Sequence, residues 1–117
     1  MNYILLIYSD EAQQAKFSSA QAGEVMQGYM AFTQDVVKAG KFKAGDPLEP
    51  TSTATTIRVR NGRTTTTDGP FAETKEQLAG YYIVDAADLD EAISIAARIP
   101  TAKFGSIEVR PIRKINM

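Results

Sequence analysis

Two short segments are apolar along almost their whole length, which is typical of strands covered on both faces of a sheet. The first spans residues 2–8 (Asn-Tyr-Ile-Leu-Leu-Ile-Tyr), and the second spans residues 78–84 (Leu-Ala-Gly-Tyr-Tyr-Ile-Val). A third strand is predicted over residues 106–115, where apolar and polar side chains alternate. We therefore expect two central strands and a further strand with distinct faces.

Two longer segments have the periodicity of amphipathic helices. The first begins at Ser18, with Gln21 at the capping-box spacing, and ends at Gly40. Its predicted apolar stripe comprises Ala22, Val25, Met26, Tyr29, Met30, Thr33, Val36 and Val37, and both methionines are expected to fill the core. The second helix begins after Asp88 as N-cap and ends before Pro100. Its predicted stripe comprises Leu89, Ala92, Ile93, Ala96 and Ala97, widened by Ile95 and Ile99.

The segments between the helices predict loops and a hairpin. Residues 9–17 are polar and are expected to form a loop, and residues 41–50 form a connection with a short strand over 42–44. Threonine-rich strands are predicted over 53–60 and 63–67, because Asn61-Gly62 between them is a strong hairpin signal and threonine favours strands.

The order of these elements predicts one domain over residues 1–117, an α+β ferredoxin-like βαββαβ sandwich with an added Thr-rich β-hairpin. The two helices can cover only one face of the sheet, yet the two central strands are apolar on both faces. The uncovered face needs a partner, and a second copy of the chain is the simplest one. The pattern therefore predicts a homodimer.

Composition excludes several classes of site. The chain has no Cys and no His, which removes disulfides, thiolate ligands, and imidazole bases and metal ligands. Its net charge of −1 gives no basic field for nucleic acid. No apolar run approaches the roughly 18–20 residues that span a bilayer, and the N-terminus lacks the features of a signal peptide. We expect a cytoplasmic protein with no metal, cofactor, nucleic acid or membrane partner.

A turn at Asp68-Gly69-Pro70-Phe71 precedes the second apolar strand and provides the first candidate site. Gly supplies positive φ and Pro fixes the following residue, so the turn would hold Asp68 rigidly. Asp68 could then act as a base or bind a polar ligand at the edge of a pocket. The alternative is that its side chain only caps the turn.

Other charged and aromatic residues are further candidates, each with a plainer alternative. Glu73 could pair with Asp68 for acid–base or metal chemistry, or could lie in a solvated loop. Arg110 lies on a predicted inner strand and there needs either a ligand or an ion-pair partner. The hydroxyl of Tyr81 could orient a ligand, or could belong to the core or a dimer interface.

Residues 68–82, Asp-Gly-Pro-Phe-Ala-Glu-Thr-Lys-Glu-Gln-Leu-Ala-Gly-Tyr-Tyr, resemble the signature of the DGPF branch of the YCII-related family, small bacterial proteins of the dimeric α/β-barrel type. Residues 45–50 (Gly-Asp-Pro-Leu-Glu-Pro), the first strand and the ending Ile-Glu-Val-Arg-Pro-Ile also resemble this family, so the resemblance covers nearly the whole chain. It implies two sheets packed face to face as a dimeric α/β barrel.

The resemblance also implies what this chain lacks. Members nearer the YCII prototype have a proposed dyad, a His on the first helix and an Asp just before a Pro after the second helix. Here the first position falls near Gly28 and the residue before Pro100 is Ile99, so the dyad is not transferred. The activity of the family is largely unassigned, and the resemblance fixes no reaction.

Three functions are compatible with the sequence. The preferred one is a small-molecule-binding dimeric barrel, with catalysis open and a pocket near the Asp68–Phe71 turn lined also by Tyr81 and Arg110. The alternative is a non-catalytic regulatory or interaction module, because DGPF-type proteins resemble ones encoded beside, or fused to, extracytoplasmic-function sigma factors. The third is a structural domain, which predicts a filled barrel without a cavity.

Overall fold

A four-stranded antiparallel sheet with helices packed on one face organises the protein, whose computed structural model describes residues 1–116. The strands are β1 (Asn2–Ser9), β2 (Phe42–Pro47), β3 (Thr55–Arg60), β4 (Arg63–Asp68), β5 (Gln77–Asp85) and β6 (Ser106–Pro111). The helices are α1 (Glu11–Gln14), α2 (Ser19–Lys38) and α3 (Leu89–Ala96), with 3₁₀ turns at Thr51–Thr53 and Pro100–Lys103.

The main sheet has the order β2-β5-β1-β6, and β3 pairs with β4 in a second sheet of two strands. Every pairing is antiparallel. The predicted ferredoxin-like βαββαβ fold is confirmed. The β3–β4 hairpin is inserted in the chain between β2 and β5. Within residues 1–116, no helix is long and apolar enough to cross a membrane.

The core lies between the helices and one face of the sheet. Strand β1 alternates, so that Tyr3, Leu5 and Ile7 are buried against the helices, whereas the intervening residues point to the other face. Leu5 and Val84 on the central strands have no exposed surface. The other face, here called the open face, comprises Ile4, Leu6, Tyr8, Tyr81 and Ile83, all only half-buried.

Helix α2 begins and ends as the sequence predicts, but its buried stripe differs. The capping box is present, since the Ser18 hydroxyl accepts from the Gln21 N–H at 3.1 Å and the Gln21 side chain accepts from the Ser18 N–H at 2.9 Å. Gly40 has φ 73°. The expectation that Met26 and Met30 fill the core is wrong, because they are 62% and 57% exposed.

The fully buried residues of α2 are Val36, which the predicted stripe includes, and Phe32, which it does not, and both pack on the sheet toward the helix C-terminus. Val37, also placed in the predicted stripe, is exposed. The N-terminal half of α2 borders a cavity rather than a packed core, and this explains why its apolar residues keep solvent contact.

The predicted loop over 9–17 contains a short helix. Asp10 caps α1 by accepting from the N–H groups of Ala12 and Gln13. Glu11 then reaches across to Thr51, accepting from its N–H at 2.9 Å and from its hydroxyl at 2.7 Å. These contacts fix the segment that follows β1 against the start of the hairpin.

Helix α3 is capped by Asp88, which accepts from the Glu91 N–H at 2.9 Å, as predicted. Its buried stripe is narrower than the prediction. The buried residues are Ala92, Ile95, Ala96 and Ile99, whereas Leu89, Ile93 and Ala97 are exposed. The prediction therefore included all four buried residues, which have the helical spacing i, i+3, i+4, i+7, but it was too wide because it also included the three exposed ones.

The hairpin turn is as predicted, because Asn61 (φ 51°) and Gly62 (φ 75°) both have the positive φ of a type I′ turn. Apart from half-buried Thr56, the strand residues of β3 and β4 are exposed. The radius of gyration is 16.3 Å, above the value of about 13 Å for a compact chain of this length. The hairpin therefore extends away from the body.

Three strand boundaries differ from the predicted ones by two or more residues. Strand β2 runs over Phe42–Pro47 rather than 42–44, because it pairs with β5 as far as Gly80. Strand β3 begins at Thr55, since residues 51–53 form a 3₁₀ turn. Strand β6 ends at Pro111, where its pairing with β1 stops, and not at residue 115.

Candidate functional site

A cavity of about 540 Å³ lies between the N-terminal half of α2 and the end of the sheet where β2 ends and β5 begins. Its walls are mostly apolar and aromatic, with Phe17, Tyr29, Phe42 and Tyr82 among the lining residues. Asp46 is the only charged residue among the described residues that line it, and its carboxylate lies on the open face of the sheet. The cavity is partly open to solvent and its wall is mostly apolar with few polar groups, as in sites for small organic ligands.

Two hydroxyl pairs join α2 to the rest of the cavity wall. The Tyr29 and Thr101 hydroxyls are 2.5 Å apart, and the Thr33 and Tyr82 hydroxyls are 2.7 Å apart. Tyr29 and Thr33 are four residues apart on α2 and therefore lie on the same helix face. The pairs tether this face to β5 and to the 3₁₀ turn after α3.

The aromatic rings are held in fixed relative positions. The Tyr29 and Tyr82 rings are nearly parallel, with an interplanar angle of 11° and centroids 6.5 Å apart. The Phe32 ring meets Tyr82 edge to face at 5.1 Å. A Cβ at Gly45 would lie 2.6 Å from the Cδ1 atom of Tyr82, so glycine is required there. Close packing against Gly45 and Phe32 therefore fixes the Tyr82 ring.

A third polar pair lies on the open face and not in the cavity, where the Tyr81 hydroxyl donates to Asp46 Oδ2 at 2.8 Å. This hydrogen bond raises the pKa of Tyr81 above its ordinary value. Burial raises the pKa of Tyr29, and its hydrogen bond to Thr101 offsets part of that effect. Both phenols are therefore protonated and neutral at neutral pH.

Of the candidate residues Asp68–Phe71, Tyr81 and Arg110, only Tyr81 is among the residues that line the cavity, and its hydroxyl lies on the open face beside Asp46. Asp68 is exposed at the end of β4, and Phe71 is 80% exposed. Gly69 (φ 105°) holds the turn, since its N–H donates to Ala54 O at 2.7 Å, and Pro70 beside it is half-buried. The turn and the cavity are thus separate places, and a role for the turn stays a prediction.

Arg110 lies on the open face, paired across the sheet with Ile4. Its side chain is 68% exposed and forms an ion pair with Glu108 at 3.0 Å, as in the plainer of the two alternatives. Glu73 is exposed. Within the described part of the chain, no group of three or more acidic side chains is placed to hold a metal ion.

The two positions of the family dyad lie close together in this fold, since a Cβ at Gly28 would lie 3.0 Å from Pro100 Cγ, next to Ile99. The neighbouring residues Tyr29 and Thr101 form the hydroxyl pair described above. Sequence reasoning placed Tyr29 in a core stripe and missed Thr101 and Asp46. The Gly-Asp-Pro segment could have indicated Asp46, but no pattern marks Thr101.

Comparisons with known proteins are consistent with this fold. The chain is 43% identical over 114 residues to an uncharacterized protein of Rhizobium meliloti (strain 1021), an alignment covering 96% of this chain and 92% of the relative. It resembles in structure the 5-chloro-2-hydroxyhydroquinone dehydrochlorinase of Burkholderia phenoliruptrix AC1100, solved in complex with 2,5-dihydroxybenzoquinone. That match has a TM-score of 0.55 and 14% identity, and it covers 97% of this chain and 94% of the other.

At this identity the structural likeness shows a shared fold and no shared activity. The model of the YCII-related domain matches residues 1–116. On this match the chain belongs to the YCII-related family.

Proposed function

We propose that this protein binds a small organic molecule in the cavity between α2 and the sheet. One observation supports this most strongly: the cavity of about 540 Å³ combines aromatic walls with two hydroxyl pairs. Ligand sites in proteins occupy about 300–1,000 Å³ and pair apolar walls with a few fixed polar groups. A purely structural domain would have no reason to keep this space unfilled.

The cavity walls are also arranged to orient a ligand. Each hydroxyl pair uses one of its two protons internally and keeps the other, with free lone pairs, for a ligand group. The Tyr29–Thr101 pair and the Thr33–Tyr82 pair approach from different elements, so a ligand that contacts both is fixed in orientation. The likeness to a fold that binds 2,5-dihydroxybenzoquinone in another protein is compatible with a site for small molecules.

We propose further that two copies pack through their open faces. The apolar residues at the centre of that face, Ile4, Leu6 and Ile83, remain half-buried, whereas their neighbours on the helix side are buried. Apolar surface of this kind is stabilised by a partner. Leu6→Glu should therefore yield a monomer by light scattering at micromolar concentration, whereas Ile57→Glu on the exposed hairpin should not. A dimeric Leu6→Glu variant would refute this interface.

Two finer assignments stay predictions. Residues 68–71 support placing the chain in the DGPF branch, and a comparison of ligand affinity between the wild type and Asp68→Asn tests whether this turn contributes to binding. The family resemblance also implies a sigma-factor partner, for which no structural feature described above provides an argument.

The cavity proposal is tested by methyl NMR with two methionines that form an internal control. Met26 lines the cavity, whereas Met30, one turn along α2, is exposed and does not line it. Protein labelled at methionine methyl groups is titrated with a library of small organic fragments, and Met26→Leu and Met30→Leu variants assign the signals. We expect saturable shifts at Met26 for a subset of fragments, with Met30 unchanged. A library that shifts Met30 but never Met26 would contradict the proposal.

A further inference from the structure

We infer that the cavity takes an uncharged ring bearing hydroxyl or carbonyl groups, and that it excludes organic anions. This inference builds on the proposed function and adds the chemical class of the ligand. The charges of the lining residues, the protonation of the hydroxyls and the shape of the walls each support it.

The charge of the cavity disfavours anions. Among the described lining residues there is no Lys or Arg, and the one charged residue, Asp46, has its carboxylate on the open face beside Tyr81. An anionic ligand would lose its water without gaining a cation. An uncharged ligand avoids this penalty, so the affinity should fall when a carboxylate replaces a neutral polar group.

The hydroxyls provide neutral hydrogen bonds instead. Because Tyr29 remains protonated at neutral pH, the Tyr29–Thr101 pair has two hydroxyl protons, of which one is used within the pair and one can be donated. Tyr29–Thr101 and Thr33–Tyr82 can therefore pair with a ligand hydroxyl, which donates and accepts, or with a carbonyl, which accepts. Groups of this kind match the cavity better than ionised ones.

The shape of the cavity favours a ring. Four aromatic rings, those of Phe17, Tyr29, Phe42 and Tyr82, line it, and packing against Phe32 holds Tyr82 in place. Aromatic pairs gain energy beyond simple burial when their rings stack or meet edge to face. A flexible acyclic ligand would also lose conformational entropy on binding, whereas a ring has little to lose.

Two probes of the same skeleton test this inference. The first is 4-hydroxybenzyl alcohol, whose phenol has a pKa of about 10 and is neutral at pH 7. The second is 4-hydroxybenzoate, which has the same ring and phenol but a carboxylate in place of the alcohol. Dissociation constants are measured at pH 7 from the Met26 methyl shift, with Met30 as the internal control.

We expect the alcohol to bind at least about tenfold more tightly than the benzoate. Benzoate binding as tight as that of the alcohol would overturn the inference and leave the proposed function intact. If neither probe nor any fragment shifts Met26 at about 10 mM, where millimolar dissociation constants are detectable, both the inference and the proposed function are overturned.

Discussion

The hydroxyl pair between Tyr29 and Thr101 should behave as one energetic unit, and a double-mutant cycle can measure it. Thr101 is 3% exposed and its hydroxyl lies 2.5 Å from that of Tyr29, which is itself partly buried. The two residues are 72 positions apart, so the pair ties α2 to the turn after α3. Removing one partner leaves the other with an unsatisfied hydroxyl.

The magnitudes follow from this burial. Tyr29→Phe leaves the buried Thr101 hydroxyl without its partner and should cost about 1–3 kcal/mol of unfolding free energy. Thr101→Val leaves a hydroxyl that can reach water in the cavity, and should cost about 0.5–1.5 kcal/mol. In the double variant no polar group is left unpaired, so its cost should be about 1 kcal/mol below the sum of the single costs.

Urea denaturation of the four proteins gives the required free energies. Tyr29→Phe combined with Thr64→Val is the control, because Thr64 is exposed on the distant hairpin and the two costs should simply add. The reasoning is refuted if the free-energy costs of Tyr29→Phe and Thr101→Val also sum to the cost of the double variant within about 0.3–0.5 kcal/mol.

The pKa of Tyr29 provides a second readout for the same hydroxyl. Because its folded pKa is raised above the ordinary value of 10.0, its contribution to stability is fully present below pH 10 and is lost as the pH rises through the folded pKa. The free energy of unfolding should therefore decrease less steeply with rising alkaline pH for Tyr29→Phe than for the wild type. Equal slopes would contradict the assigned shift.

Two other substitutions probe packing and electrostatics. Gly45→Ala should destabilise the fold by about 1–3 kcal/mol, because the added Cβ collides with Tyr82. Gly23→Ala on α2 should stabilise the fold by up to about 1 kcal/mol, because its Cβ meets no neighbour within 4 Å. Thermal unfolding of the two variants tests these opposite signs. Hydrogen bonds from the Ala87 N–H and, to a smaller extent, from Lys41 hold the pKa of Glu91 below its ordinary value of 4.5. The contribution of Glu91 to the free energy of unfolding is therefore present above pH 4.5 and is lost as the pH falls through the folded pKa. The free energy of unfolding should accordingly fall less steeply with decreasing pH for Glu91→Gln than for the wild type, and the same pH dependence in both proteins would argue against this contribution.

Local sequence rules predicted the parts of the fold that local chemistry determines. The capping box at Ser18, the cap at Asp88 and the turn at Asn61-Gly62 each follow from side chains and backbone angles within a few residues. The order of these elements was then sufficient for the ferredoxin-like topology. The two fully apolar strands also indicated the open face correctly as a surface with apolar residues.

Tertiary arrangement accounts for what the sequence did not predict. Periodicity shows which residues share a helix face, but not where the neighbouring layer ends, so Met26 and Met30 were placed in a core that stops short of them. The cavity site could not be predicted from the sequence for a similar reason. Tyr29 and Thr101 meet only in the folded chain, and Thr101 belongs to no motif.

The central claim, that the cavity is the binding site, is tested most directly by filling it. Val25 lines the cavity, whereas Val37 lies on the same helix with 54% exposure and does not line it. Val25→Trp and Val37→Trp are titrated by calorimetry with the tightest fragment from the NMR library, after circular dichroism shows that both are folded. We predict that Val25→Trp abolishes saturable binding and that Val37→Trp keeps the wild-type dissociation constant. Equal affinity of the two variants would contradict the claim.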